Sequence, residues 1–222
     1  VMARKGHIAY HAGFDFTLFF EGLTSLEALI ERARSAHVDY IAYSQVEYWM
    51  LPRMLFLAVT ERVPFLDEVY KGDGIRVFRV EAGAEPVFSD AERYALLLAT
   101  LKGARSQRRP ASIYGALMDL GTHDQVRGDF ERAAGHFREA VAVAERADDW
   151  QEKAWRAAVA REQLAGAELE AGNVEAAVAS LQENADYFAS VGAQAELDRT
   201  AAMLQRAHAA LRSGQRAAPK RP

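Results

Sequence analysis

The 222-residue sequence contains no cysteine. Disulfides, thiol catalysis and thiolate-bound zinc are excluded together, while the compartment stays open. A basic surplus is also missing, since 27 Lys and Arg face 31 Asp and Glu, for a net charge of −4 and a pI near 5.9. A phosphate backbone meets no attractive field, so nucleic acid is not an expected partner. Long hydrophobic runs are scarce. The longest, residues 49–59 and 94–101, are too short to span a bilayer, and Arg53 interrupts the first. No signal-peptide pattern opens the chain, which begins Val1-Met-Ala-Arg-Lys-Gly and reads as a piece of something longer. Neither G-x-G-x-x-G nor G-x4-G-K-[ST] occurs, and no G-x-S-x-G elbow surrounds Ser44. No cofactor is expected on these grounds.

What is present is an ordinary globular balance, 50% hydrophobic and 26% charged, which excludes wholesale disorder. The two halves differ. Fifteen of the 22 aromatic residues lie before residue 95, whereas alanine about doubles in frequency after Pro110, and no proline falls between Ala111 and Ala218. The aromatic first half suits strands and the alanine-rich second half suits helices. The boundary is expected in Glu81-Ala-Gly-Ala-Glu-Pro86, with Ser89 or Asp90 capping the helix beyond it.

The first half predicts a small α/β unit. Residues 1–4, 16–20 and 39–44 have the character of short strands. Thr24 or Ser25 caps a helix whose apolar positions are Leu26, Leu29, Ile30 and Ala33. A further helical stretch carries Trp49, Leu51, Leu55 and Leu57, with Pro52 at its first turn or at a kink. Residues 65–70 and 75–80 flank Lys71-Gly-Asp-Gly74, a hairpin signal.

The second half carries a repeat. Counting back from Gly128 gives Leu117, Leu120, Gly121 and Asp124, and counting forward gives Ala133, Phe137 and Ala140. From Gly172 the same spacing gives Arg161, Leu164, Ala165 and Glu168, then Ala177 and Leu181. The two glycines are 172 − 128 = 44 residues apart. Glycine inside a helix is disfavoured relative to alanine, so Gly121 needs a packing reason, which close approach of the partner helix near Ala133 supplies. Gly128 and Gly172 stand where the chain reverses, with Asp129 and Asn173 as caps for the next helices. Leu197, Met203 and Leu204 mark a final amphipathic capping helix.

This pattern resembles tetratricopeptide proteins over about residues 112–189, with one good repeat and one degenerate one. The resemblance implies stacked helix pairs with a concave surface for a protein or peptide. Leu117, Asp124, Arg127 and Glu168 are the candidate partner contacts, and Leu120, Gly121, Gly128, Ala133, Phe137, Gly172 and Ala177 the repeat-structural residues.

The first 80 residues resemble a second family in the order of Ser25-Leu-Glu-Ala-Leu-Ile30, Asp39-Tyr-Ile-Ala-Tyr-Ser44, Leu66-Asp-Glu-Val-Tyr70 and Arg76-Val-Phe-Arg-Val80. They look like the soluble extracytoplasmic C-terminal domain of polytopic lipid-linked-sugar glycosyltransferases, relatives of the dolichyl-phosphate-mannose–protein mannosyltransferases. The resemblance implies an accessory domain of a membrane enzyme. That family's catalytic carboxylates sit in its membrane portion, so no catalytic residue carries over.

Other candidate chemistry has a plainer alternative. His7, His11 and Asp15 have the spacing of a metal-binding helix face, but Gly6 and Gly13 bracket them and packing at a sheet edge is preferred, so no metal site is expected. Asp119, His123, Asp124 and His136 suit ligand contact better than acid–base catalysis. Gln45 and Glu47 follow a strand, where sugar or peptide contacts would fall, while Ser44 suits a helix cap. Arg105-Ser-Gln-Arg-Arg109 reads as a solvated basic loop, and Trp150, Trp155, Tyr187 and Phe188 as interhelical core.

The expected fold is thus a small α/β domain of three or four strands over 1–84, a tetratricopeptide-like all-α domain over 87–215, and a frayed tail over 216–222. The expected function is a non-catalytic interaction or regulatory module on the extracytoplasmic side of a membrane, its partner a protein or peptide or the membrane portion of its own parent. The alternatives are a soluble sugar- or nucleotide-binding enzyme with a helical scaffold, and a cytoplasmic tetratricopeptide adaptor.

Overall fold

A computed structural model of the chain describes residues 2–3, 17–18, 25–44, 54–72, 74–81, 88–148, 150 and 152–217. The chain separates into two compact units, Val1–Ser112 and Ile113–Pro222. The first is a small sheet with helices and the second is helical.

In the first unit, β1 (Met2–Ala3) runs parallel to β2 (Thr17–Leu18) and to β3 (Tyr40–Ser44). β4 (Leu66–Gly72) and β5 (Ile75–Val80) form an antiparallel hairpin, and β5 pairs antiparallel with β3, giving the order β2-β1-β3-β5-β4. Ile41, Ala42 and Tyr43 are all buried, as a central strand covered on both faces requires. α1 (Leu26–Ser35) presents the expected Leu26, Leu29, Ile30 and Ala33 to the core, and the Ser25 side chain accepts from the Ala28 N–H to cap it. Those residues meet Ile41, Tyr43, Met54, Phe56, Leu57, Leu66 and Phe78 in one apolar cluster.

Of the helical stretch expected around residues 49–57, the described part holds the single turn α2 (Phe56–Val59). Trp49, Leu51 and Pro52 lie outside the described residues, as do His7, His11, Asp15, Gln45 and Glu47. α3 (Asp90–Ser106) begins in a capping box in which Ser89 and Glu92 bond reciprocally. Gly103 lets it close on α2, since a β-carbon there would stand 2.9 Å from Val59 and 3.1 Å from Leu55. That contact explains why the division at Ser112 and Ile113 falls C-terminal of the expected 84–87 boundary: α3 groups with the α/β unit.

α4 (Pro110–Val126), α5 (Phe130–Arg146), α6 (Lys153–Glu170), α7 (Val174–Ser190) and α8 (Gln194–Ala217) follow. α8 includes Arg216 and Ala217, where a frayed tail was expected. Alanine fills the helix contacts: Ala133 and Ala134 of α5 meet Leu164 and Ala167 of α6 around Phe137, and Ala165 meets Ala177, Leu181 and Ala207. Gly121 gives way to the Phe137 ring itself, where Ala133 was the expected neighbour. Asp129 and Asn173 occupy the N-cap positions of α5 and α7, but their side chains make no capping bond, a correction to the expected role.

The reversals are made at the other ends of the helices. Gly128 has φ +80° and Gly172 +85°. The Asp129 N–H reaches Asp124 O at 2.9 Å and the Asn173 N–H reaches Glu168 O at 2.8 Å, the long bonds of Schellman caps. Gly192, at φ +69°, makes the same joint between α7 and α8.

Candidate functional site

Contacts across the second unit line up α4, α6 and α8. A β-carbon on Gly166 of α6 would lie 3.8 Å from Gln125 Nε2 of α4 and 3.9 Å from Met203 Cε of α8. Glu162 accepts from Arg199 Nε at 2.6 Å and Nη2 at 3.1 Å, and Arg206 lies 3.6 Å from Glu170. Positions 162, 166 and 170 of α6 therefore meet 199, 203 and 206 of α8 in rising order, so these two helices are parallel neighbours. The Tyr114 hydroxyl ties α4 to α6 by donating to Arg156 O at 2.9 Å. Trp150 packs edge-on against Tyr114, and Trp155 against Phe188, at centroid distances of 5.3 and 5.6 Å.

α6 is held by charge from α5, α7 and α8. Arg161 is bridged to Glu145 of α5 at 2.5 Å and Glu183 of α7 at 3.1 Å, and also donates to Asn184 Oδ1 at 3.3 Å. Asn184, wholly buried, donates to Ala158 O at 2.7 Å. Glu168 accepts from Arg138 of α5. Burying so many polar groups is tolerable only because they meet partners of opposite charge or matching hydrogen-bond sense. Arg199 is held protonated above its usual range by hydrogen bonding to Glu162 and by that carboxylate's charge.

Of the four expected partner contacts, three are inside. Leu117 and Asp124 are fully buried and Glu168 is nearly so, which corrects their expected exposure. The reason is the repeat itself: their positions face the companion helices. Arg127 alone is exposed, 4.0 Å from Asp129. Leu120, Gly121, Ala133, Phe137 and Ala177 are buried at helix contacts, while Gly128 and Gly172 cap the turns.

His123, Asp124 and His136 do come together. His136 Nε2 lies 3.4 Å from Asp124 Oδ2 and His123 Nδ1 lies 3.6 Å from Oδ1, while Arg132 donates to both oxygens. The carboxylate is an ion-pair centre inside the first hairpin. Among the described residues no group of three or more His, Asp or Glu side chains is placed to hold a metal ion. Ser44 ends β3, and Arg105 and Arg108 are exposed at the α3–α4 turn, where Arg109 is half-buried.

Sequence reasoning missed Gly166 and Arg199, and gave Met203 only a place on the capping helix, because their face is built by helices distant in the chain. It also missed Arg76. That side chain is buried, donates to Leu57 O at 2.6 Å, Thr60 O at 2.8 Å and Glu68 Oε2 at 2.7 Å, and lies 4.9 Å from the Phe78 ring centroid. Its signal was available: residues 76 and 78 share one face of a strand, so a core-facing Phe78 puts a charge at a core-facing register.

No family model matches the chain, and no curated protein matches it. Among the described residues no helix is long and apolar enough to cross a membrane.

Proposed function

We propose that the second unit is a tetratricopeptide-like, non-catalytic interaction module whose partner-binding face is formed by α4, α6 and α8. The observation that carries this reading is the seam Gln125–Gly166–Met203, where three alternate helices meet around a residue with no side chain. A floor of that kind admits a polypeptide backbone closely, and the flexible Met203 side chain adapts to what lies on it. The partner class is a protein or peptide. The resemblance of the first 80 residues extends the proposal: the chain belongs to a membrane glycosyltransferase-like parent and works on its extracytoplasmic side.

Peptides selected from a display library on the full chain test the module. Their binding is expected to weaken at least about tenfold in Gly166→Arg, which occupies the seam, and to survive Ala179→Arg on the exposed side of α7. Peptides indifferent to Gly166→Arg would count against the assigned face. For the parent, sequencing the gene upstream of the Val1 codon should reveal repeated apolar segments of about 20 residues. A start at Met2 with no such segments would discard the membrane parent and leave the module untouched.

A further inference from the structure

Two buried carboxylates stand at corresponding places in the repeat and are served differently. Asp124 lies in the last turn of α4 and Glu168 in the last turn of α6, 168 − 124 = 44 residues on. Asp124 is engaged at both oxygens from α5, by Arg132 at 2.5 and 3.2 Å and by His136 at 3.4 Å. Advancing 44 residues turns Arg132 into Ala176 and His136 into Ser180. α7 thus brings a methyl group and a hydroxyl where α5 brings a guanidinium and an imidazole.

Glu168 is correspondingly short of partners. Its Oε1 accepts from Arg138 Nη2 at 2.9 Å, but no hydrogen-bond donor among the described residues reaches Oε2, although the side chain is 4% exposed. A buried carboxylate oxygen without a donor is costly, and the negative end of the α6 dipole adds to the cost. Arg161 of α6 is committed to Glu145 and Glu183, and Arg199 of α8 to Glu162. Ala176, exposed on α7, is the repeat equivalent of Arg132, the residue that serves Asp124.

We propose that Glu168 anchors a cation-accepting notch, opening over Ala176, that takes a lysine or arginine side chain from a partner polypeptide. This rests on the interaction-module reading for its choice of a polypeptide and adds the charge class of one partner group. The notch lies on the α5–α7 side of α6, so it is a second point of attachment besides the seam at Gly166.

The test uses the 15N-labelled full chain, titrated with N-acetyl-arginine amide, N-acetyl-lysine amide and the uncharged N-acetyl-citrulline amide. The two cations are expected to shift the amide signals of residues 168, 176 and 180 saturably, and citrulline to bind at least about tenfold more weakly. Ala176→Arg supplies the cation within the chain, so it should abolish the titration and raise the melting temperature by about 2–4 °C. Equal shifts from citrulline and arginine, or an Ala176→Arg variant that melts below the wild type, would overturn the proposal. Cation binding at residue 176 combined with peptides insensitive to Gly166→Arg would support the notch while removing the assigned seam. Gly166-sensitive peptides combined with no cation preference would remove the notch alone.

Discussion

The Phe137 ring of α5 lies where a side chain on Gly121 of α4 would begin: a β-carbon there would stand 2.5 Å from Phe137 Cε1. Alanine at 121 would gain about 1 kcal/mol of helix propensity. Crowding a fully buried ring costs about 1–3 kcal/mol, and the ring has nowhere to swing. Gly121→Ala is therefore expected to lower stability to urea by about 1 kcal/mol, the net of those two effects. Adding Phe137→Leu should recover part of the loss, and simple additivity of the two changes would contradict the contact.

Arg108 supplies a second prediction. It sits at φ +53° between α3 and α4, in the same Schellman arrangement that glycines occupy elsewhere, with the Arg109 N–H on Ala104 O and the Arg108 N–H on Arg105 O. A residue with a β-carbon is strained there by about 1–2 kcal/mol. Arg108→Gly should stabilise the chain by about 0.5–1 kcal/mol after allowing for the greater freedom of unfolded glycine. Gly128→Ala should do the reverse by about 1 kcal/mol, both read from urea midpoints. A stabilising Gly128→Ala would contradict the cap.

Arg76 joins α2 to the hairpin, its buried guanidinium donating to two carbonyls and to a half-buried carboxylate. Removing it strands Glu68 and uncaps the end of α2. Arg76→Met is expected to cost about 3–5 kcal/mol, and Arg76→Lys to rescue little, because a single ammonium cannot span all the acceptors. Amide exchange in β4 and β5 is the measurement. Unchanged protection in the methionine variant would show the bonds to be dispensable.

The capping box gives the fold a modest pH dependence. The Ser89 hydroxyl, followed by the Ser89 backbone N–H, holds the Glu92 carboxyl below its ordinary 4.5. A carboxylate depressed in the folded state contributes fully above its unfolded value, and that contribution is lost as pH falls through the lower, folded one. The wild type should therefore lose melting temperature relative to Glu92→Gln as pH drops from about 5 to about 3, with the difference constant at neutral pH. Parallel pH profiles would remove Glu92 from the cap.

Local chemistry was the legible part of this sequence. Ser25, Ser89 and the α1 stripe Leu26, Leu29, Ile30 and Ala33 signal their roles within a few residues, and Gly128 and Gly172 mark reversals because few other residues enter their backbone region cheaply. Asp129 and Asn173 misled because the following helix starts directly from the Schellman turn, with no capping bond from either side chain. The site was harder to read. Asp124 and Glu168 look like surface charges until their arginines are known, and Glu162 meets Arg199 across 37 residues. Such pairs depend on which helices become neighbours, information that a 3.6-residue period does not contain.

Asp124 and Glu168 both sit at the carbonyl ends of their helices, where a negative charge is least welcome. Their arginines, Arg132 and Arg138, are both carried by α5. One helix thus acts as common creditor to two carboxylates belonging to different hairpins. Should α5 melt, both acids would lose their arginines together, which links the standing of the α6–α7 hairpin to that of its neighbour, however modular their repeat makes them look.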